Sequence, residues 1–93
     1  MDYHELAAAL TTKGQTIEDR SKDHVFYLVE IEGRRYRATK ISHSARGQIS
    51  DPLIGAIARE MHLTTKELKE FVKCSVSRTQ WIEYWKQRKA SYQ

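Results

Sequence analysis

The pattern of hydrophobic and polar positions divides the chain into helical and extended segments. Residues 24–31, HVFYLVEI, are rich in β-branched and aromatic types, which predicts a strand. Glu32-Gly33 has the composition of a two-residue hairpin turn, so residues 34–41 are expected to return antiparallel to that strand. The more polar residues 15–20 are predicted as a short edge strand.

Apolar residues spaced three or four apart predict helices before and after these strands. Residues 2–13 are the first helix, with Asp2 as N-cap and Gly14 as the stop signal. A second helix is expected to begin with Asp51 as N-cap and Pro52 in its first position. Two further helices follow capping-box sequences, TTKE at 64–67 and SRTQ at 77–80. The order α-β-β-β-α-α-α predicts an α+β fold, with helices on one face of an antiparallel sheet.

The hairpin turn decides which strand residues are expected to face the core. With a two-residue turn, Ile31 lies opposite Arg34, Val29 opposite Tyr36, Tyr27 opposite Ala38 and His24 opposite Ile41. The predicted core side holds Val25, Tyr27, Val29, Ile31, Tyr36 and Ala38. The predicted opposite side holds His24, Phe26, Leu28, Glu30, Arg35, Arg37, Thr39 and Ile41.

Length and composition narrow the class of protein. With 93 residues and about 40% hydrophobic types, the chain is expected to be a single domain, 1–93, with one modest core. Its one cysteine, Cys74, excludes a disulfide scaffold and indicates a reducing compartment. We see neither a signal peptide nor an apolar stretch of membrane-spanning length, so we expect a cytoplasmic protein without a membrane partner. The four histidines and Cys74 have no metal-site spacing, and no cofactor is indicated.

Charge is distributed unevenly along the chain. Residues 1–33 hold three basic and seven acidic side chains, whereas residues 34–93 hold thirteen basic and five acidic ones. A basic half of this kind favours a polyanionic partner such as nucleic acid, although ordinary surface lysines and arginines give the same count. The residues expected to contact phosphates are Arg35, Arg37, Lys40 and Arg46. Arg35 has the alternative of pairing with Glu30 across the hairpin.

Four short segments resemble the pattern of one known family. Residues 10–14 are similar to the end of its first helix, and residues 51–63, DPLIGAIAREMHL, to its second. His24 follows Lys22-Asp23 where that family has Gly-Ser-His, and residues 41–43, Ile-Ser-His, stand where it has Val-Pro-His. Residues 3–72 thus resemble the HicA-type mRNA interferase toxins, also called the YcfA-like family. The resemblance implies a double-stranded-RNA-binding-like α-β-β-β-α sandwich over 2–74, including a short following helix, and leaves 75–93 as a C-terminal helical extension and basic tail.

The same resemblance implies roles for particular residues. His24 matches the catalytic residue of a metal-independent endoribonuclease, and an imidazole can accept or donate a proton near neutral pH. From the residues themselves, Asp23 is a candidate to orient His24, with pointing away as its alternative, and His43 is a candidate phosphate contact or second proton-transfer group. The alternative is that His24 is a half-exposed strand residue and His43 a polar loop residue, both without a chemical role. The implied partners are RNA and an antitoxin protein that covers His24.

The residues themselves leave other readings open. The replacement of Gly-Ser by Lys22-Asp23 suits a non-catalytic nucleic-acid-binding module on the same fold. Trp81 and Trp85 share one face of the last helix, which predicts core packing or a dimer or partner surface for an adaptor protein. A further alternative is that the two tryptophans, Tyr84 and Tyr92 stack on bases, with Lys86, Arg88 and Lys89 beside them. His4 and His62 are predicted to be helix-surface residues.

Overall fold

The three predicted strands form one antiparallel sheet in chain order. The computed structural model describes residues 1–73 and 75–91, so the expectations for Cys74 and Tyr92 lie outside the described residues. The strands are β1 (Ile17–Arg20), β2 (His24–Ile31) and β3 (Arg34–Ser42), with β2 in the centre. Glu32 and Gly33 connect β2 to β3 with φ angles of 53° and 80°, as the predicted two-residue turn requires.

A β-bulge in β3 changes the predicted register. Ile31 pairs with Arg34 and Val29 with Tyr36, as predicted, but the pairing then shifts, and Leu28 lies opposite Arg37 while Tyr27 lies opposite Thr39. Ala38 is therefore the additional residue. The predicted pairs Tyr27–Ala38 and His24–Ile41 are wrong, and His24 lies opposite Ser42.

The bulge also exchanges the faces of the residues that follow it. Thr39 and Ile41 are buried on the core side rather than on the opposite side, because the extra residue shifts the alternation of side chains by one position. Lys40 moves to the other face, opposite Phe26. The rest of the predicted core side is confirmed, since five of its six residues are buried and Tyr36 packs half-buried against them.

Four helices in the described part of the chain accompany the sheet, and short-range capping bonds define most of their starts. They are α1 (Tyr3–Ala8, extended by a π-helical segment, Ala9–Lys13), α2 (Asp51–Glu60), α3 (Thr65–Val72) and α4 (Arg78–Ser91). The Asp2 carboxylate accepts a hydrogen bond from the Glu5 amide at 2.7 Å, which confirms it as the cap of α1. Thr64 and Glu67 form both bonds of the predicted capping box.

The start of α2 differs by one residue from the prediction. Asp51 is the first helical residue, so Ser50 takes the N-cap position, and it makes no side-chain capping bond. Asp51 and Pro52 both lie in the first turn, where an acidic side chain is favoured by the helix dipole and proline loses no hydrogen bond.

Gly14 follows the first helix as predicted, but for a different physical reason. Its φ is −73°, an ordinary helical value, and the left-handed residue is Gln15, with a φ of 52°. A Cβ at position 14 would lie 2.9 Å from the Leu10 carbonyl oxygen and 3.2 Å from both Phe71 and Trp81. Glycine is required here because the backbone runs against the core.

One hydrophobic core lies between the inner face of the sheet and the helices, and α4 contributes two of its largest side chains. Trp81 is fully buried and its indole Nε1–H donates to the Met61 carbonyl at 2.9 Å. Trp85 is also buried, which confirms that both tryptophans pack in the core. His62 is half-buried rather than a surface residue, with its ring 4.4 Å from that of Trp85.

Within the described residues, no helix combines the length and apolar character that crossing a membrane would need. The same part of the chain holds no cluster of three or more His, Cys, Asp or Glu side chains arranged to bind a metal ion.

Candidate nucleic-acid interface

The sheet face that points away from the core carries a mixture of aromatic, apolar and basic side chains. We call it the outer face. Its side chains are half-buried or exposed, whereas most side chains on the inner faces of β2 and β3 are buried. The strand pairing places on it Ile17 and Asp19 of β1, His24, Phe26, Leu28 and Glu30 of β2, and Arg35, Arg37, Lys40 and Ser42 of β3.

Phe26 lies at the centre of the outer face. The Arg37 guanidinium carbon is 4.8 Å from the centroid of the Phe26 ring, which is a cation–π distance. The His24 ring lies 6.2 Å away on the same strand. Lys40 is the residue paired with Phe26 across the hairpin. An apolar ring with cations beside it combines a stacking surface for a base with contacts for phosphates.

Arg35 continues this row toward the hairpin turn. Its Nε lies 3.7 Å from a carboxylate oxygen of Glu30, so the alternative pairing considered for it is present. Both side chains are more than half exposed, and ion pairs of this kind contribute only about 0–1 kcal/mol. The pair therefore does not prevent Arg35 from contacting a phosphate.

His24 lies at the end of the outer face, where the sheet meets α2. It lines a small cavity of about 210 Å³ together with Lys40, Ser42 and Glu60. The Glu60 carboxylate also accepts a hydrogen bond from the buried Thr39 hydroxyl at 3.3 Å. The sequence did not indicate Glu60, because nothing local links the last turn of α2 to the end of β3. Glu60 thus contributes a carboxylate to the cavity that His24 lines.

His43 follows Ser42, the residue paired with His24, but its side chain faces a different cavity. Its amide donates to the Asp23 carbonyl at 3.1 Å, and its ring Nε2–H donates to the Ser21 carbonyl at 2.8 Å. The imidazole lines a larger cavity of about 450 Å³, which Arg46 also lines. His43 and Arg46 both belong to the loop after β3, and they line this cavity rather than the one that His24 lines. Asp23 is exposed in the turn before β2.

The structure therefore divides the predicted site residues into two groups. His24, Arg35, Arg37 and Lys40 share the outer face, and His43 and Arg46 line a separate cavity from the loop after β3. Asp23, exposed in the turn before β2, belongs to neither group. Comparisons with protein-family models, with curated proteins and with solved structures found no match for this chain. Its function is therefore inferred from its own residues and their arrangement.

Proposed function

We propose that this protein binds RNA through the outer face of its sheet, on a double-stranded-RNA-binding-like α-β-β-β-α arrangement to which α3 and α4 are added. The observation that supports this most directly is the bulge at Ala38. It places Lys40 on the same face as Arg35 and Arg37, around the half-buried Phe26. A regular strand would have directed Lys40 toward the core side.

The chemistry of this face suits an extended nucleic-acid strand. The three cations would pair with phosphates, and each such contact on a single strand contributes a salt-dependent term to the affinity. Phe26 would stack on a base, which contributes roughly 1–3 kcal/mol in proteins that bind single strands. These contacts are tolerant of sequence, so we expect modest sequence preference.

The test is fluorescence anisotropy of a labelled single-stranded RNA at several salt concentrations between 50 and 200 mM. Arg37→Ala should weaken binding and reduce the slope of log affinity against log salt by about 0.7. Lys66→Ala is the matched control, because Lys66 is an exposed cation on α3, away from this face. The proposal fails if the wild type does not bind at the lowest salt, or if both variants change the slope equally.

The resemblance to HicA-type toxins suggests a second candidate, metal-independent RNA cleavage. The observation that favours it is the cavity that His24 shares with Lys40 and Glu60. Attack of a 2′ hydroxyl on the adjacent phosphorus needs one group that accepts the hydroxyl proton and one that gives a proton to the departing 5′ oxygen. Glu60 would accept the first proton, His24 would donate the second, and Lys40 would stabilise the charge on the phosphate.

Incubation of purified protein with single- and double-stranded RNA in EDTA separates the two candidates. The protein is an enzyme if the wild type cleaves RNA, His24→Ala does not, and Glu60→Gln cleaves more slowly while it still binds RNA. The Glu60→Gln side chain still offers an oxygen to the Thr39 hydroxyl, so the fold should be preserved. Binding without cleavage by the wild type would leave the protein as a non-catalytic RNA-binding module.

A further inference from the structure

A second concave site lies between the hairpin turn and the last helix, at the end of β2 opposite to His24. It is a cavity of about 470 Å³, a volume typical of small-molecule sites. Arg34 and Tyr36 come from β3, and Trp85, Lys86 and Lys89 come from α4. Residues about fifty positions apart in the chain thus meet in one cavity.

Cations dominate the polar part of this cavity. Arg34, Lys86 and Lys89 line it, against a single carboxylate, that of Glu32. The Glu32 carboxylate pairs with the Lys86 ammonium at 2.8 Å, and this hydrogen bond lowers the pKa of Glu32 and raises that of Lys86. Lys86 is therefore charged at neutral pH, and the group of residues keeps an excess of positive charge that an anion would neutralise.

The wall of the cavity is aromatic. The Lys89 ammonium lies 3.5 Å from the centroid of the half-buried Tyr36 ring, and that ring is 5.9 Å from the buried ring of Trp85. The Lys86–Glu32 and Lys89–Tyr36 contacts also join α4 to the hairpin, so part of their role is structural. Both lysines nevertheless line open space beside an aromatic surface, and this combination recognises a charged group attached to a planar one.

We infer that this cavity binds a nucleotide, whose phosphate is held by Arg34, Lys86 and Lys89. The Lys89 ammonium then moves from the face of the Tyr36 ring, which it covers in the free protein, and the base stacks there. The nucleotide is either a free mononucleotide or one unit of an RNA strand, since both present the same chemistry. The site lies on the core side of β3 and is separate from the outer face. Nucleotide binding in this cavity is therefore independent of RNA binding at the outer face.

The indole N–H signals of the two tryptophans give a site-specific NMR readout. Uridine monophosphate, added at low salt to uniformly labelled protein, should shift the Trp85 signal saturably. It should leave the signal of Trp81 unchanged, because that indole is fully buried and bonded to the Met61 carbonyl. Arg34→Ala and Lys89→Ala should each weaken the binding about tenfold, the loss expected for one charge-assisted hydrogen bond. Lys66→Ala is the control cation and should have no effect.

Other ligands identify what the cavity recognises. Uridine alone should bind at least tenfold more weakly than the monophosphate, and inorganic phosphate should also bind more weakly. If the trinucleotide UpUpU binds more tightly than the monophosphate, the bound nucleotide belongs to an RNA strand. If the two bind equally tightly, the ligand is a free nucleotide. The inference is overturned if the monophosphate leaves Trp85 unshifted at millimolar concentration, or if inorganic phosphate binds as tightly as the nucleotide. Arg37→Ala should leave the response of Trp85 unchanged, because Arg37 lies on the outer face and does not line this cavity. A failure of RNA binding at the outer face would therefore not alter the result for the cavity.

Discussion

Replacing Glu67 by glutamine removes the charge from an ion pair that joins α3 to α4. The Arg88 guanidinium donates to both carboxylate oxygens of Glu67, at 2.6 and 2.9 Å, and also to the His62 carbonyl at 2.8 Å. Glutamine preserves the shape and still offers an oxygen to the Thr64 amide, which completes the capping box. The variant therefore keeps the cap but removes the charge and one hydrogen bond from Arg88, because the glutamine NH2 group cannot accept from Arg88 Nη2.

The size of the effect follows from the pKa of Glu67. The hydrogen bond from Arg88 is the main cause that lowers this pKa from 4.5 to about 2, and burial opposes it. A difference of this size between the pKa values of the folded and unfolded states corresponds to about 3 kcal/mol in the free energy of unfolding. The Arg88 side chain is 33% exposed and that of Glu67 is 18% exposed, so solvent screening reduces the expected loss on Glu67→Gln to about 2 kcal/mol at pH 7.

The pH dependence has a definite sign. A carboxyl group with a lowered folded-state pKa contributes stability above about pH 4.5 and loses it as the pH falls toward 2. The difference in the free energy of unfolding between wild type and Glu67→Gln should therefore shrink to less than half when measured at pH 3 instead of pH 7. Urea unfolding followed by tryptophan fluorescence measures both values, because Trp81 and Trp85 are in the core.

Glu70→Gln is the matched control on the same helix. A carboxylate oxygen of the half-buried Glu70 lies 4.0 Å from the ammonium nitrogen of the exposed Lys66, in an i,i+4 pair. Replacing Glu70 should change the free energy of unfolding by less than about 0.5 kcal/mol. The reasoning is refuted if Glu67→Gln costs no more than this control at pH 7. A cost that is the same at pH 7 and pH 3 would also refute it, since the loss would then not come from the charge.

Three other experiments test the packing and the outer face. Gly14→Ala should lower the free energy of unfolding by about 1–3 kcal/mol, because its Cβ would lie 2.9 Å from the Leu10 carbonyl oxygen. Gly55→Ala should instead stabilise α2 by up to about 1 kcal/mol, because an added Cβ would meet nothing within 4 Å beyond its chain neighbours and the nearby backbone of its own helix; thermal unfolding of both variants checks the contrast. Trp81→Phe should lower the free energy of unfolding in urea by about 2–4 kcal/mol, because it leaves a cavity and an unpaired Met61 carbonyl. A decrease of less than about 1 kcal/mol would contradict the buried hydrogen bond. Lys40→Ala should lower the salt slope of RNA binding by about 0.7, and an unchanged slope would place the RNA elsewhere.

The elements predicted correctly are those with local causes. Two residues with positive φ define the hairpin turn, and side-chain caps define the starts of α1 and α3. The predicted register lacks the bulge because pairing residues one by one from the turn treats the strand as regular. The sequence does hold a sign of it. In a regular strand Ile41 would face solvent, so the apolar positions change phase between Ala38 and Ile41.

The candidate site was predictable only in part. The charge pattern identified Arg35, Arg37 and Lys40, and strand alternation placed His24 on the same face as the two arginines. The separation of His43 and Arg46 from this face depends on the path of the loop after β3, which no local pattern specifies. Glu60 and the cavity beside α4 arise from contacts between distant segments, and single-sequence periodicity carries no information on these.

The late position of α4 in the chain has a consequence for synthesis. The hairpin consists of neighbouring segments and can pair as soon as it leaves the ribosome. The earlier helices can cover part of its inner face, but the core stays incomplete until Trp81 and Trp85 have also emerged, because both side chains are buried in it. We therefore expect a nascent chain that ends before α4 to expose apolar surface, to bind chaperones and to be sensitive to protease, with resistance appearing only when the last helix has been translated.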